Sequence, residues 1–317
     1  MNSSPVAALI GAGAIAPFHV AALRAAGFRV SHIAASNGSS RASQLAKDWS
    51  IERAWTRAED LIVSAEWDAI VLASSTESIP ELLQMTISTG RPCLVEKPVG
   101  FDGDVIRQFS GHDAAVRVAY NRRFYSSSLA ARTYAAQGPC IFRMELPDSI
   151  GSVDVEMQGL RSVRENSVHG FDLLAFVLGN YRVDKRFDTG DPRGRLAVIT
   201  SDMGHVGTVV LNWNCPANFS LALDRSPQRF EMRPFELGSL YEGMDVLEPT
   251  DDIPVRRYVP KLVQQVSSFP GPDGVKPGFL GQALSLMQCV KTGQWDARTA
   301  TISDAAFAAD VARTLTS

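Results

Sequence analysis

The chain has 317 residues, 45% of them hydrophobic, with 31 basic and 34 acidic side chains and a formal net charge of −3. That length exceeds what one hydrophobic core usually fills, so two domains are expected. The near-balanced, scattered charge argues against a basic nucleic-acid face and a polybasic membrane patch, and leaves a small-molecule partner as the expectation.

No run approaches the ~18 apolar residues of a membrane span, and Met1 to Ile10 lack a charged start followed by a long apolar core and cleavage site. A cytoplasmic location is therefore expected. Cys93, Cys140, Cys215 and Cys289 are far apart and form no C-x-x-C pair, which reads as four ordinary buried thiols rather than a zinc or redox site. His32, His112 and His205 show no metal-ligand spacing.

In chain order, Val6–Ile10 is a short apolar run that stops at Gly11, and Ala14–Ala26 is helix-prone and closes at Gly27. Phe28–Ala35 reads as a second strand, Ser40–Asp48 as a helix, and Asp68–Ala73 as a buried strand. Pro92–Glu96 and Ala114–Ala119 supply two more strands, each preceded by a helical stretch. The alternation predicts a doubly wound parallel α/β domain over 1–120. Beyond it, Cys140–Leu146, Leu196–Thr200, Val206–Trp213, Phe219–Leu223 and Gln228–Phe235 read as strands with few helices between the later ones. That predicts an α+β second domain over 121–317 with a mostly antiparallel open sheet. Phe279–Val290 and Ser303–Leu315 are expected as its closing helices.

Gly11-Ala12-Gly13-Ala14-Ile15-Ala16 is a G-x-G-x-x-A turn between strand one and helix one. Glycines there allow a tight turn and close approach of backbone to a pyrophosphate, which the helix N-terminus then faces. NAD-preferring folds place an acid after strand two, but Ala35 is followed by Ser36, Asn37, Gly38, Ser39, Ser40 and Arg41. Hydroxyls, an amide and a guanidinium donate to a 2′-phosphate that an acid would repel. NADP(H) is thus expected over NAD(H), through Ser36, Asn37 and Arg41. The alternative is that Arg41 is a solvated helix residue and the serines form turns and caps.

Glu96-Lys97-Pro98 stands at the C-terminal end of a predicted strand, the edge where ligands gather in open α/β sheets. With the glycine turn, this triplet resembles the glucose-fructose oxidoreductase/inositol dehydrogenase/rhizopine-catabolism (Gfo/Idh/MocA) family. The resemblance implies a Rossmann domain, a nicotinamide cofactor, a sugar or polyol substrate, and a homodimer or homotetramer. It also implies that Lys97 assists proton transfer. A lysine beside a cationic nicotinamide has its proton affinity lowered, which suits acid/base work. Tyr120-Asn121-Arg122-Arg123-Phe124 is similar to the family's crossing between domains. Arg122 and Arg123 are expected either at the substrate or holding that junction.

Glu165 to Gly179 reads as one apolar helix whose Glu165, His169 and Asp172 share a narrow face. Family members typically carry D-x-G-x-H-x-x-D there. Here His169 and Asp172 match, while Glu165 replaces the acid and Ser167 the glycine. The resemblance gives His169 and Glu165 catalytic roles beside Lys97. Asp172 is expected near the substrate, orienting His169, or else in a structural network, and Asn166, one residue from that face, is expected to bind substrate hydroxyls. Where the family often has A-T-P-N-x-x-H, the chain has Ala73, Ser74, Ser75, Thr76, Glu77, Ser78 and Ile79. Ser74, Ser75 and Thr76 remain expected along the nicotinamide ribose, with Glu96 and Lys97. His19, in the first helix, is expected to pack or cap. The reading is an NAD(P)-dependent oxidoreductase that transfers a hydride to or from a sugar or polyol carbon, NADPH-dependent keto-sugar reduction being the favoured direction. Its alternatives are a non-catalytic nucleotide-binding sensor on the same fold and a reductase of a non-sugar substrate.

Overall fold

A computed structural model of the chain describes residues 4–35, 39–149, 161, 163–189, 194–269 and 274–316. Two compact units emerge: Met1–Phe124 together with Pro270–Ser317, and Tyr125–Phe269. The expected single cut at residue 120 is corrected on this point, because the last segment belongs with the first.

Unit 1 is built on a parallel sheet of six strands in the order β3-β2-β1-β4-β5-β6. They are β1 (Val6–Ile10), β2 (Arg29–Ala34), β3 (Arg53–Trp55), β4 (Ala69–Leu72), β5 (Cys93–Val95) and β6 (Val116–Val118). The order reverses between β1 and β4, which gives the switch point of a Rossmann fold. β4 is buried at every position, as a central parallel strand covered on both faces must be. Helices α1 (Ala16–Ala25), α2 (Arg41–Asp48), α3 (Ala58–Ser64), α4 (Ile79–Ile87) and α5 (Gly103–Arg107) make the crossovers.

The closing helices join this unit because of what their apolar faces meet. Phe279, Ala283, Leu286 and Met287 of α8 (Phe279–Thr292) bury in one cluster with Val20 and Leu23 of α1. Each large apolar side chain removed from water there contributes about 1.5–3 kcal/mol. Helix α9 (Ile302–Thr316) is anchored differently. Its Asp304 carboxylate accepts from Thr301 N and Oγ1, both at 2.8 Å, and pairs at 3.3 Å with Arg123 in a 3-10 turn over Asn121–Phe124. Burial pushes the Asp304 carboxyl up, but the Arg123 charge and the Thr301 hydrogen bonds outweigh it and hold the group below its ordinary value. A depressed folded-state pKa adds stability above the unfolded value of about 3.9, lost as pH falls through the lower folded value. Asp304→Asn is accordingly expected to lower the melting temperature at pH 7, by a difference that shrinks as pH falls through the depressed folded-state value, read in parallel thermal melts across pH.

Unit 2 carries a sheet of eight strands in the order β14-β13-β12-β11-β7-β10-β9-β8. They are β7 (Ile141–Glu145), β8 (Tyr181–Asp188), β9 (Gly194–Ser201), β10 (Val206–Asn212), β11 (Ser220–Arg225), β12 (Gln228–Met232), β13 (Leu237–Leu247) and β14 (Arg257–Ser267). The β7–β10 pair is parallel and the other pairs are antiparallel. Helices α6 (Ser126–Ala135) and α7 (Val168–Leu178) belong to this unit. Three cysteines are buried as expected, but Cys215, in the loop after β10, is exposed. Among the described residues no helix is long and apolar enough to cross a membrane, and no cluster of side chains suits a metal ion.

Candidate functional site

The glycine turn follows from the sheet. Gly11 N donates to Ala34 O at 2.8 Å, so the chain leaves β1 pressed against the ends of β2 and β4. At φ +117° Gly11 adopts a backbone conformation that side chains resist, and a Cβ there would meet Ala73 O at 2.0 Å. Gly13 is the opposite case, since a Cβ there would meet no protein atom within 4 Å. The first glycine is required by the fold, and the second faces open space.

That space is a cleft of about 590 Å³ at the C-terminal edge of the sheet, lined by Gly11, Gly13, Ser39, Arg41, Ser74 and Ser75 among others. The donor set fits a dinucleotide: bare glycine backbone at the centre, where a pyrophosphate approaches closely, and hydroxyls and guanidinium groups to either side. Ile15 caps α1 and Ala16 opens it, with Ala16 N bonded to Gly13 O at 3.1 Å, so Ala14 lies within the turn. Ser74 and Ser75 hydroxyls meet Ser78 Oγ at 2.8 and 3.1 Å. Thr76 sits in the same loop but does not line the cleft. Ser36 and Asn37 lie outside the described residues. Sequence reasoning missed Arg57, which reaches the cleft from beyond β3 while its Nε contacts Glu59 Oε2 at 3.4 Å. Its only signal would have been β3, too short to show a pattern.

At the end of β5, Glu96 is buried and accepts from His19 Nε2 at 2.8 Å on one oxygen and from Lys97 N at 3.1 Å on the other. His19 itself is 3% exposed and packs its ring 5.0 Å from that of Phe279. Glu96 thereby clamps the backbone of Lys97 against α1. Lys97 is half-buried beyond it, joined to Pro98 by a cis peptide.

Arg122 and Arg123 occupy the 3-10 turn of unit 1. Arg123 is 5% exposed with its guanidinium on Asp304. It holds α9 to the turn, the structural one of the two roles expected for it.

In unit 2 the predicted single helix is two pieces. A π-helical turn spans Val163–Ser167 and α7 follows from Val168. The wider turn breaks the α-helical register that had placed Glu165 in line with His169 and Asp172. Glu165 points its carboxylate to Arg161 Nε at 2.7 Å. His169 is 8% exposed and Asp172 1%. Asp172 is packed inside the unit near the Tyr181 phenol, whose ionisation is suppressed first by burial and then by the Asp172 charge. That burial favours the structural one of the two roles expected for Asp172. A residue without any sequence signal joins this group: Asp148, 18 residues before Asn166, is 3% exposed and accepts hydrogen bonds from Asn166 and Ser167.

Residues 6–111 match the model of an oxidoreductase family, Gfo/Idh/MocA, described by its NAD-binding Rossmann fold. Over 126 residues the chain is 27% identical to an inositol 2-dehydrogenase of Rhizobium meliloti, covering 37% of this chain and 38% of that one. Over 199 residues it is 25% identical to an uncharacterized oxidoreductase, YrbE, of Bacillus subtilis, covering 57% and 55%. The matched stretches thus span about half or less of these relatives. Among solved structures, scyllo-inositol dehydrogenase of Lactobacillus casei with bound NAD(H) and scyllo-inositol shares the fold, with a TM-score of 0.71, 14% identity and coverage of 98% of this chain and 96% of that one.

Proposed function

Because the chain belongs, through residues 6–111, to the Gfo/Idh/MocA oxidoreductases with an NAD-binding Rossmann fold, we propose that it moves a hydride between a nicotinamide and a hydroxyl-bearing carbon of a sugar or polyol. The observation that carries this reading is the pairing, within one unit, of an open glycine cleft with a lysine whose backbone is clamped at the adjacent strand end.

The bound nicotinamide supplies the hydride chemistry. The chain's own residues do the rest. Gly11 and Gly13 set the dinucleotide against the sheet edge. In oxidation Lys97 Nζ takes the proton from the reacting hydroxyl, and in reduction it returns one. His169 is assigned to hydrogen-bond a substrate hydroxyl. Glu165, turned to Arg161, stays outside the proton path. The inositols for which the relatives are named supply the first compounds to assay.

For the cofactor, we assign the 2′-phosphate of NADP(H) to Ser39, Arg41 and Arg57, the donors that line the cleft past β2 and β3. A charge-assisted hydrogen bond is worth about 1.5–3 kcal/mol. Arg41→Ala is therefore expected to weaken NADPH binding about 10- to 100-fold and to leave NADH within about twofold, read from tryptophan quenching in parallel titrations. Equal loss for both dinucleotides, or tighter NADH binding by the unaltered protein, would reject the assignment. With NADPH preferred, reduction of a keto-sugar becomes the working direction.

A further inference from the structure

His19 belongs to the first turn of α1, its backbone N bonded to Ile15 O at 3.3 Å just after the glycine turn. Its side chain is 3% exposed, packs 5.0 Å from the Phe279 ring, and brings Nε2 to Glu96 Oε1 at 2.8 Å. The other Glu96 oxygen accepts from Lys97 N at 3.1 Å, while Glu96 N donates to Leu72 O at 2.7 Å and ties the same residue to the end of β4. A carboxylate only accepts hydrogen bonds, so the proton on the line between His19 and Glu96 is carried by Nε2.

Glu96 is 8% exposed, and a buried carboxylate deprived of one donor turns toward water or another partner. Such a turn would draw Oε2 away from Lys97 N and release the backbone from which the lysine side chain starts. We infer that His19 is a positioning residue for Lys97: through Glu96 it fixes the lysine to the helical turn that faces the dinucleotide, so that cofactor and proton carrier are placed by one element. The inference rests on the proposed role of Lys97, and every residue in it belongs to unit 1. A displacement of about 1 Å at a reacting group costs on the order of 10²-fold in rate, which sets the scale of the expected effect.

The test varies donor and reach at position 19. His19→Gln keeps an N–H at the reach of Nε2, His19→Asn is one methylene shorter and stops short of Glu96, and His19→Leu keeps the bulk without a donor. In steady-state kinetics with scyllo-inositol and myo-inositol, each with NAD⁺ and NADP⁺, His19→Asn and His19→Leu are expected to lower kcat about 10- to 100-fold and to leave KM for inositol and dinucleotide within about threefold. His19→Gln recovers kcat to within about fivefold of the starting value. Adding Glu96→Ala to His19→Leu lowers kcat by less than about twofold more, because residues that act as a unit are not additive. A second measurement reads the lysine without turnover. In the dinucleotide-free protein, acetylation of Lys97 by an N-hydroxysuccinimide ester, followed by peptide mass spectrometry, is expected to be about threefold faster in His19→Asn and His19→Leu and unchanged in His19→Gln, since a loosened backbone opens more often. Thermal melts check that each variant is folded at the assay temperature, and if His19→Leu is not, the comparison of His19→Gln with His19→Asn carries the test.

Unchanged kcat in folded His19→Asn overturns the inference while the proposed function stands. A loss of kcat that His19→Gln shares in full also overturns it, since the donor to Glu96 is then not what matters. A further large loss on adding Glu96→Ala separates Glu96 from His19 and overturns the path between them. No turnover of either inositol by the unaltered protein removes the proposed substrate class, and the acetylation rates of Lys97 then decide the inference by themselves.

Discussion

Gly11→Ala is expected to destabilise the protein by about 2–5 kcal/mol, whereas Gly13→Ala leaves the melting temperature unchanged and removes dinucleotide binding. The two glycines look alike in the motif but meet different neighbours. At position 11 the new methyl would lie 2.0 Å from a backbone oxygen of Ala73, at a positive φ that alanine resists. Neither β1 nor β4 can yield without losing the ladder between them, which pairs Ile10 with Leu72. At position 13 the methyl enters empty space, and only a ligand would notice it. Calorimetric melts paired with NADH and NADPH titrations distinguish the two effects. A Gly13→Ala protein that binds dinucleotide as before would show that the cleft is not the pyrophosphate site.

The second large effect belongs to Lys97. Lys97→Met is expected to lower kcat by about 10²- to 10⁴-fold with an inositol substrate, while the affinity for dinucleotide changes by less than about threefold. Methionine keeps the length and apolar body of the side chain and removes the proton carrier. The clamp beneath it is made by the backbone N of residue 97 and the Glu96 and His19 side chains, all of which survive the substitution. Retained turnover would move the proton to another group and remove Lys97 from the proposed chemistry.

The parts of this fold that sequence reveals are those whose burial is one-sided or complete. β1 and β4 stand out as apolar runs because both faces are covered, and α8 shows its apolar spacing because one stripe is. β8 and β14 were invisible for the converse reason: β8 buries a single residue and β14 is exposed at nearly every position. Such edge strands are held by ladder hydrogen bonds, which leave little mark on side-chain pattern. β13 turns from buried to exposed along its length and loses its signal midway. The helical character of α8 and α9 was legible, but not their membership of unit 1, since periodicity names a face and not the surface it meets.

In the site, the glycine turn and Lys97 were legible because their chemistry depends on backbone geometry at a strand end, which short motifs encode. The clamp made by Glu96 was not legible because its partner His19 lies 77 residues away. Asp148 carried no signal at all, being one acid in a loop, and acquires meaning only through the fold that brings Asn166 to it. Glu165 was placed by assuming a uniform helix, and the π-helical turn that redirects it leaves no compositional trace.

The return of the chain to unit 1 at Pro270 sets an order on its birth at the ribosome. When residue 124 has been made, Val20 and Leu23 of α1 still await Phe279 and Leu286. All of unit 2 must be synthesised first, roughly 10–30 seconds at ordinary elongation rates. Throughout that interval the nascent nucleotide-binding half presents an uncovered apolar groove, a target for chaperones and a hazard for aggregation. Unit 2, continuous in sequence, is free to finish folding before the half that precedes it, and a ribosome stalled before residue 279 would release a protein whose first half cannot close.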